Sequence, residues 1–181
     1  MVILSPADCT ATVKATIAAA GIDAPVYLRL TGSMNNPIVY KEDFDFEIGK
    51  AIELRQGDDV AIIATGSMVH CALKAAEHLE AMGISASVLD MHTIKPLDIT
   101  AVEAACKRKL LVTVEEHSII GGLGSAVAEK LALKTIHPPH LIIGAPDVYP
   151  HAGDYVSLLD SCGLTPDKVA GKILETYKEL F

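Results

Sequence analysis

Two unbroken apolar runs constrain this chain more than any other feature. Val60-Ala61-Ile62-Ile63-Ala64 has no polar residue, and Leu110-Leu111-Val112-Thr113-Val114 has one. Neither alternates polar with apolar, as a strand with one face in water would. Such a run must be covered on both faces, which is the situation of a strand inside a parallel sheet. Each run is followed by a turn rich in small residues, Thr65-Gly66-Ser67 after the first and Gly121 to Gly124 after the second. Each turn then opens a helical pattern, so the repeating unit is strand, turn, helix.

The remaining elements follow from that frame. Val2 to Leu4 reads as a short strand. Ser5 reads as a helix N-cap, with Pro6 first in the helix and Asp8 its acid, and Gly21 ends the helix after Ala20. Val26 to Leu30 is a second strand. Thr31 to Asp45 is a connector rich in Gly, Asn, Pro and Asp. Lys50 to Arg55 roughly alternates, as an edge strand does, and the turn Gln56-Gly57-Asp58 makes it antiparallel. A helix over Met68 to Met82, with Ser67 as its cap, comes next. The strand Ala86 to Leu89 and a helix from Asp98 to Arg108 follow. After the strand 110–114 come a helix at 125–133 and the strand Leu141 to Ile143. The last helices run from Tyr155 to Ser161 and, capped by Thr165, from Pro166 to Leu180. The expected fold is α/β: a three-layer doubly wound sheet of four parallel strands plus one antiparallel edge strand. The first two strands and their helix cannot make a core alone. They read as a short N-terminal remnant of a preceding α/β domain.

Charge excludes several functions. The formal net charge is −8 and no run of Lys or Arg occurs, so a nucleic-acid backbone would be repelled. No stretch approaches the roughly 18 apolar residues of a membrane helix. Met1 to Asp8 lacks the basic flank and cleavage site of a leader. The expectation is a cytoplasmic protein with neither nucleic-acid nor membrane partner. Cys9, Cys71, Cys106 and Cys162 are far apart and read as small buried hydrophobes in a reducing compartment.

Candidate chemistry gathers at the carboxyl ends of the strands, the usual ligand edge of an open α/β sheet. Glu115, Glu116 and His117 end the second apolar run. They are either an acid–base cluster or polar contacts across a subunit interface, and only one Glu can face any one cleft. Gly122-Leu123-Gly124-Ser125 imitates a dinucleotide-binding turn. However, it lies six residues beyond its strand, and no acid ends the next strand. Its glycines suit close packing or the approach of a partner. Thr65-Gly66-Ser67 can hold an anion or cap a helix. His92, in Asp90-Met91-His92-Thr93-Ile94-Lys95-Pro96-Leu97-Asp98, sits where function is expected, although Asp90 and Asp98 also suit turns and caps. In His137-Pro138-Pro139-His140 the prolines rule out helical spacing of two metal ligands. No metal site and no complete catalytic set is legible.

The order of these segments resembles the carboxyl-terminal part of transketolase-type enzymes, which depend on thiamine diphosphate. The segments are Ser5-Pro6-Ala7-Asp8, Pro25 to Leu30, Phe46 to Ala51, Gly57 to Gly66, Asp90 to Asp98, Val112 to His117 and Gly121 to Ser125. The chain is most similar to the carboxyl-terminal subunit of split transketolases. Deoxyxylulose-phosphate synthase and the beta subunit of 2-oxoacid dehydrogenases share the layout, and a stand-alone Rossmann-like nucleotide-binding module is the alternative of a different class.

The resemblance implies that residues 1–32 are the tail of a pyrimidine-binding domain, 33–45 a linker and 46–181 the transketolase C-terminal domain. It implies thiamine diphosphate and Mg²⁺ in the complete enzyme and none on this chain alone, because the family's GDG motif and activating glutamate are not in the sequence. It implies a homo-oligomer, a missing N-terminal transketolase subunit, or both, with the isolated chain inactive. Arg29 would bind substrate, while Glu116, His117, Gly121, Gly122 and Gly124 would lie at an interface. Many relatives carry a second arginine three residues after the one matching Arg29, and here that position is Gly32.

Overall fold

The computed structural model describes residues 1–32 and 36–181. In chain order its elements are β1 (Val2–Leu4), α1 (Cys9–Ala20), β2 (Val26–Leu28), β3 (Ile52–Arg55), β4 (Val60–Ala64), α2 (Met68–Ala81) and β5 (Ala86–Asp90). There follow β6 (Thr93–Lys95), α3 (Ile99–Ala105), β7 (Leu110–Ser118), α4 (Leu123–Leu131), β8 (His140–Ala145), α5 (Tyr155–Ser161) and α6 (Pro166–Leu180).

The main sheet has the order β3-β5-β4-β7-β8. Its last four strands are parallel, and β3 is antiparallel to β5. Within the apolar runs successive side chains take opposite faces, as a pleat requires. Ile62 and Val112 pack with α2 and α6 on one side, against Val69, Ala72, Val169 and Ile173. Ala61, Ile63 and Leu111 pack with α3 and α4 on the other, against Val102, Val127 and Leu131. The three-layer α/β fold expected from the two runs is the observed one.

A second sheet has the order β2-β1-β6, with β1 parallel to β2 and antiparallel to β6. The sequence marks β1 and β2 as strands, with β2 ending at Leu28 and not at the expected Leu30, and gives no sign of β6. A strand of three residues is too short to show a period. Residues just after β5 of the main sheet thus complete the small one.

Several boundaries moved for identifiable reasons. Helix α1 begins at Cys9, because the Asp8 carboxylate accepts from the Ala11 amide at 2.7 Å and makes Asp8 the N-cap. Ser5 does not cap; its amide donates to the His92 carbonyl at 2.8 Å, and its carbonyl accepts from the Gly66 amide at 3.1 Å. Those bonds sew the two sheets together. Neither Ser67 nor Thr165 makes a side-chain cap bond. Strand β3 starts at Ile52 and pairs with β5, not with β4, its neighbour across the turn. Strand β7 continues to Ser118, so Glu115, Glu116 and His117 lie within it, and α4 starts at Leu123. Of the cysteines, Cys71 is buried and Cys9 is exposed, contrary to the expectation for the latter.

Candidate functional site

The two sheets enclose a cavity of about 360 Å³. One wall is formed by the small sheet and the residue after β2, through Ile3, Tyr27, Arg29 and Ile94. The other is the carboxyl edge of the main sheet, formed by Ser67, Glu115, Glu116, His117, Gly121 and Gly122. Of the residues that the resemblance assigns to substrate or interface, Arg29, Glu116, His117, Gly121 and Gly122 line this cavity and Gly124 does not, being buried in the first turn of α4; His92, His137 and His140 also lie outside it.

Glu115 and Glu116 follow one another on β7 and so point to opposite faces. The Glu115 carboxylate, 2% exposed, accepts from the Leu123 amide at 2.7 Å and the Gly124 amide at 2.8 Å. It therefore caps α4 with a formal charge at the positive end of the helix. Gly122 is required there, since a Cβ at that position would overlap the carboxylate. These are the amides that a dinucleotide phosphate would need, and an internal acid holds them. This removes the physical basis of the nucleotide-binding alternative.

Glu116 turns the other way. Its carboxylate accepts from the Ser67 hydroxyl at the start of α2 and from the Tyr155 hydroxyl of α5 at 2.6 Å. Burial and the bond to Glu116 raise the pKa of Tyr155. The Glu116 carbonyl accepts from Arg29 Nη2 at 3.0 Å. One residue of β7 thus joins α2, α5 and the strand end of the small sheet. His117 is half-exposed; its Nδ1 lies 3.0 Å from the Ser118 carbonyl and 4.0 Å from the Glu115 carboxylate. Gly121 has φ of 81° and donates its amide to the Ser125 hydroxyl at 2.8 Å. Gly32 borders the cavity with open space where a side chain would start.

The Asp90 to Asp98 segment serves a different purpose. Asp90 is fully buried and accepts from the Tyr40 hydroxyl at 2.7 Å. Burial pushes its pKa up to about 7, against the lowering effect of the Tyr40 bond and with a small contribution from Asp8. The Tyr40 phenol is raised as well, chiefly by burial. His92 is 1% exposed and stacks on Phe46 at 4.0 Å, and burial lowers its pKa to about 4. Asp98 caps α3 through Ala101 and also accepts from the Ala51 amide, each at 3.0 Å. Asp8 accepts from the amides of Val39 and Tyr40 at 2.7 and 2.9 Å. These groups clamp the described part of the connector to both sheets. His137 and His140 are engaged separately, by the Pro138 carbonyl and the Thr113 hydroxyl.

Sequence reasoning located Glu116 and Arg29 but not Ser67 and Tyr155 as their companions. The partners stand 49 and 39 residues from Glu116, and no local pattern encodes such distances. Chemically, the cavity offers an exposed guanidinium, a half-exposed imidazole and hydroxyls beside an apolar wall, and its two carboxylates, Glu115 and Glu116, are already bonded to protein donors. That set suits the anionic end of a small molecule.

The family model described as the transketolase C-terminal domain matches residues 49–169. An uncharacterized transketolase family protein, y4mN, of Sinorhizobium fredii is 41% identical over 183 residues, covering 99% of this chain and 53% of that protein. A protein of Methanocaldococcus jannaschii named as a transketolase C-terminal section is 40% identical over 181 residues, covering 99% of this chain and 56% of that protein. A solved structure titled split gene transketolase, inactive beta4 tetramer, superposes with a TM-score of 0.90 at 39% identity, over 100% of this chain and 58% of that one. The chain spans about half the length of the curated relatives it matches.

Proposed function

This chain belongs to the transketolase C-terminal domain family, and from that premise we propose that it is the C-terminal portion of a thiamine-diphosphate-dependent transketolase, moving a two-carbon ketol unit between sugar phosphates. The reading is carried by similarity that runs through 99% of the chain, across both sheets, to transketolase proteins nearly twice as long. In it, residues 1–32 end a pyrimidine-binding domain, 33–45 link, and 46–181 form the C-terminal domain.

The described residues do not themselves fit the cofactor. The helix amides beside the cavity are held by Glu115, and no three His, Cys, Asp or Glu among the described residues gather as metal ligands. In this reading thiamine diphosphate and Mg²⁺ are held by a separate N-terminal subunit. The work of this chain is to support the assembly and to wall the outer substrate channel. Arg29 faces the anionic end of the sugar. Glu116, His117, Gly121 and Gly122 form the edge against which a second chain sits, and Gly124, buried against Ile142 and Thr113, lets α4 pack closely beneath it.

The test is reconstitution. The chain is mixed with the rest of the enzyme, a partner carrying the diphosphate-binding domain and the remainder of the pyrimidine-binding domain, with thiamine diphosphate and Mg²⁺, and ketol transfer from a ketose phosphate to an aldose phosphate is followed. Activity is expected only in the mixture, with Arg29→Ala raising KM for the phosphorylated sugar. Turnover of a sugar by the lone chain overturns the division of labour. Tight calorimetric binding of NAD or ATP by the lone chain overturns the whole reading.

A further inference from the structure

The two edges of the main sheet are finished differently. The β3 edge has four residues, Ile52-Glu53-Leu54-Arg55, with a register shift between Glu53 and Arg55 and an Arg55–Glu80 ion pair. Short length, charge and a bulge are the usual devices that keep an edge from pairing. The β8 edge is longer and uncharged, although its ladder to β7 carries a register shift between Val114 and Ser118, and Pro139 and Pro146 bound it. His140-Leu141-Ile142-Ile143-Gly144-Ala145 carries no formal charge and, among the described residues, hydrogen-bonds as a strand on one side only, to β7. From Thr135 to Pro150 there is one acid, Asp147, and no Lys or Arg, in a chain with 38 charged residues (15 basic, 23 acidic).

Which main-chain groups are open follows from the ladder. His140 is the register partner of Leu111, and the Leu111 amide donates to the Pro139 carbonyl at 3.0 Å. Residue 139, and by alternation Leu141 and Ile143, therefore turn their main-chain groups to β7. His140, Ile142 and Gly144 turn theirs outward. The flanks of the strand carry exposed apolar residues on both sides: Ile136 at 89% before it, and Val148 at 66% and Tyr149 at 103% after it.

We propose that β8 pairs antiparallel with β8 of a second copy of this chain, about a two-fold axis at Ile142, joining two five-stranded sheets into one. The proposal rests on the reading of the chain as an oligomer-forming subunit and names the surface. The sequence is self-complementary about that centre. Ile142 faces its own copy, with its outward amide and carbonyl exchanging both bonds. His140 then stands opposite Gly144, and beyond the strand ends, where the chain bends, the flank of Ile136 and His137 lies at the same end of the joined sheet as Asp147 and Val148 of the second copy. Each apolar flank shares an end with the other, and the one acid shares it with a histidine. A contact in which the same patch serves both partners is the commonest closed arrangement of identical chains. It also lets two chains of net charge −8 meet along a strip almost free of charge.

The experiment is light scattering with size-exclusion chromatography on the whole chain over a dilution series, on wild type, Ile136→Asp and Val148→Lys. Both substituted side chains are exposed, and far-UV circular dichroism checks the fold. Each variant alone is expected to raise the dimer dissociation constant at least about ten-fold. An equimolar mixture is expected to recover dimer, because one flank then pairs Asp with Lys. As a second measurement, hydrogen exchange at the Ile142 amide is expected to slow as protein concentration rises. A wild-type chain that is monomeric throughout overturns the oligomer reading and the proposal together. An oligomer that neither variant weakens overturns the β8 surface alone. So does Ile142 protection that appears only when an N-terminal transketolase subunit is added.

Discussion

In the five-stranded sheet every residue of β4 is shielded from solvent, and both faces are closed by helices. In the three-stranded sheet Tyr27 is 47% exposed, and α1 turns Val13 and Ile17 outward at 59% and 70%. The large sheet closes its own core with local strand–helix units. The small sheet borrows β6 from beyond β5, takes the Asp8 and Asp90 clamps on the connector, and still leaves apolar surface open. Stability therefore resides in the first, and the opportunity for contact resides in the second and in the cavity between them. Substitutions of equal severity should have very unequal consequences in the two.

The largest effect is expected at the centre of the large sheet. Val112 is 0% exposed, and Val112→Asp places an unpaired carboxylate among aliphatic side chains. A loss of about 4 kcal/mol or more is expected, enough to leave the chain unfolded in a denaturant titration at neutral pH. If Val112→Asp melts like wild type, the large sheet is not the core and the contrast fails.

Next come the desolvated titratable groups, Asp90 and His92 where the sheets meet and His140 at the start of β8. Asp90 has its pKa raised to about 7, so between pH 4 and 7 the folded state holds a proton that the unfolded state releases, and stability falls as pH rises. His92 and His140 have theirs lowered to about 4, both mainly by burial. Between pH 4 and about 6.5 the unfolded state binds those protons and the folded state does not, so stability rises with pH. The slopes oppose each other in wild type. Asp90→Asn should steepen the rise from pH 4 to 6.5 by about 1 kcal/mol per pH unit, and His92→Gln should flatten it. Chemical denaturation at half-unit pH steps reads both, and unchanged slopes would mean that Asp90 and His92 are solvated.

How much of this was legible beforehand depends on range. The two apolar runs specified the main sheet because burial on both faces leaves a local composition that cannot be mistaken for alternation. Asp98 was legible as a cap because a cap acts within three residues, as its bond to Ala101 shows. Strand β6 was hidden by its length, and the exchange of caps was hidden by competition. Ser5 and Ser67 look like N-caps, but their groups are used on His92, Gly66 and Glu116 instead. The Glu115–Glu116–His117 cluster was visible as a cluster. That one acid caps α4 while the other gathers α2 and α5 depends on where the helices return, which sequence spacing does not record.

That division of labour at β7 gives an intermediate prediction. Glu115→Gln removes the charge from two bonds at the N-terminus of α4, and about 2 kcal/mol of stability is expected to go with it. Glu116→Gln keeps acceptors for Ser67 and Tyr155 on a partly exposed side chain and should cost about 1 kcal/mol. Equal losses at the two positions, measured by urea denaturation, would erase the distinction between a helix cap and a junction.

The smallest effect on stability is expected on the open face of the small sheet's helix. Val13 and Ile17 are one turn apart on α1 and already exposed, so Val13→Ser with Ile17→Ser removes little buried area. The lone chain should change by no more than about 0.5 kcal/mol. If the surface the small sheet leaves open is where the proposed N-terminal subunit sits, the same double variant should weaken capture of that subunit by about ten-fold or more, because apolar anchors dominate such contacts. Calorimetric titration of one subunit into the other separates the two quantities. A variant that loses neither stability nor affinity would leave the exposed face of α1 without a role in assembly. A variant that loses stability in the lone chain would show that the small sheet closes its own core after all, and the contrast between the two sheets would then be one of degree.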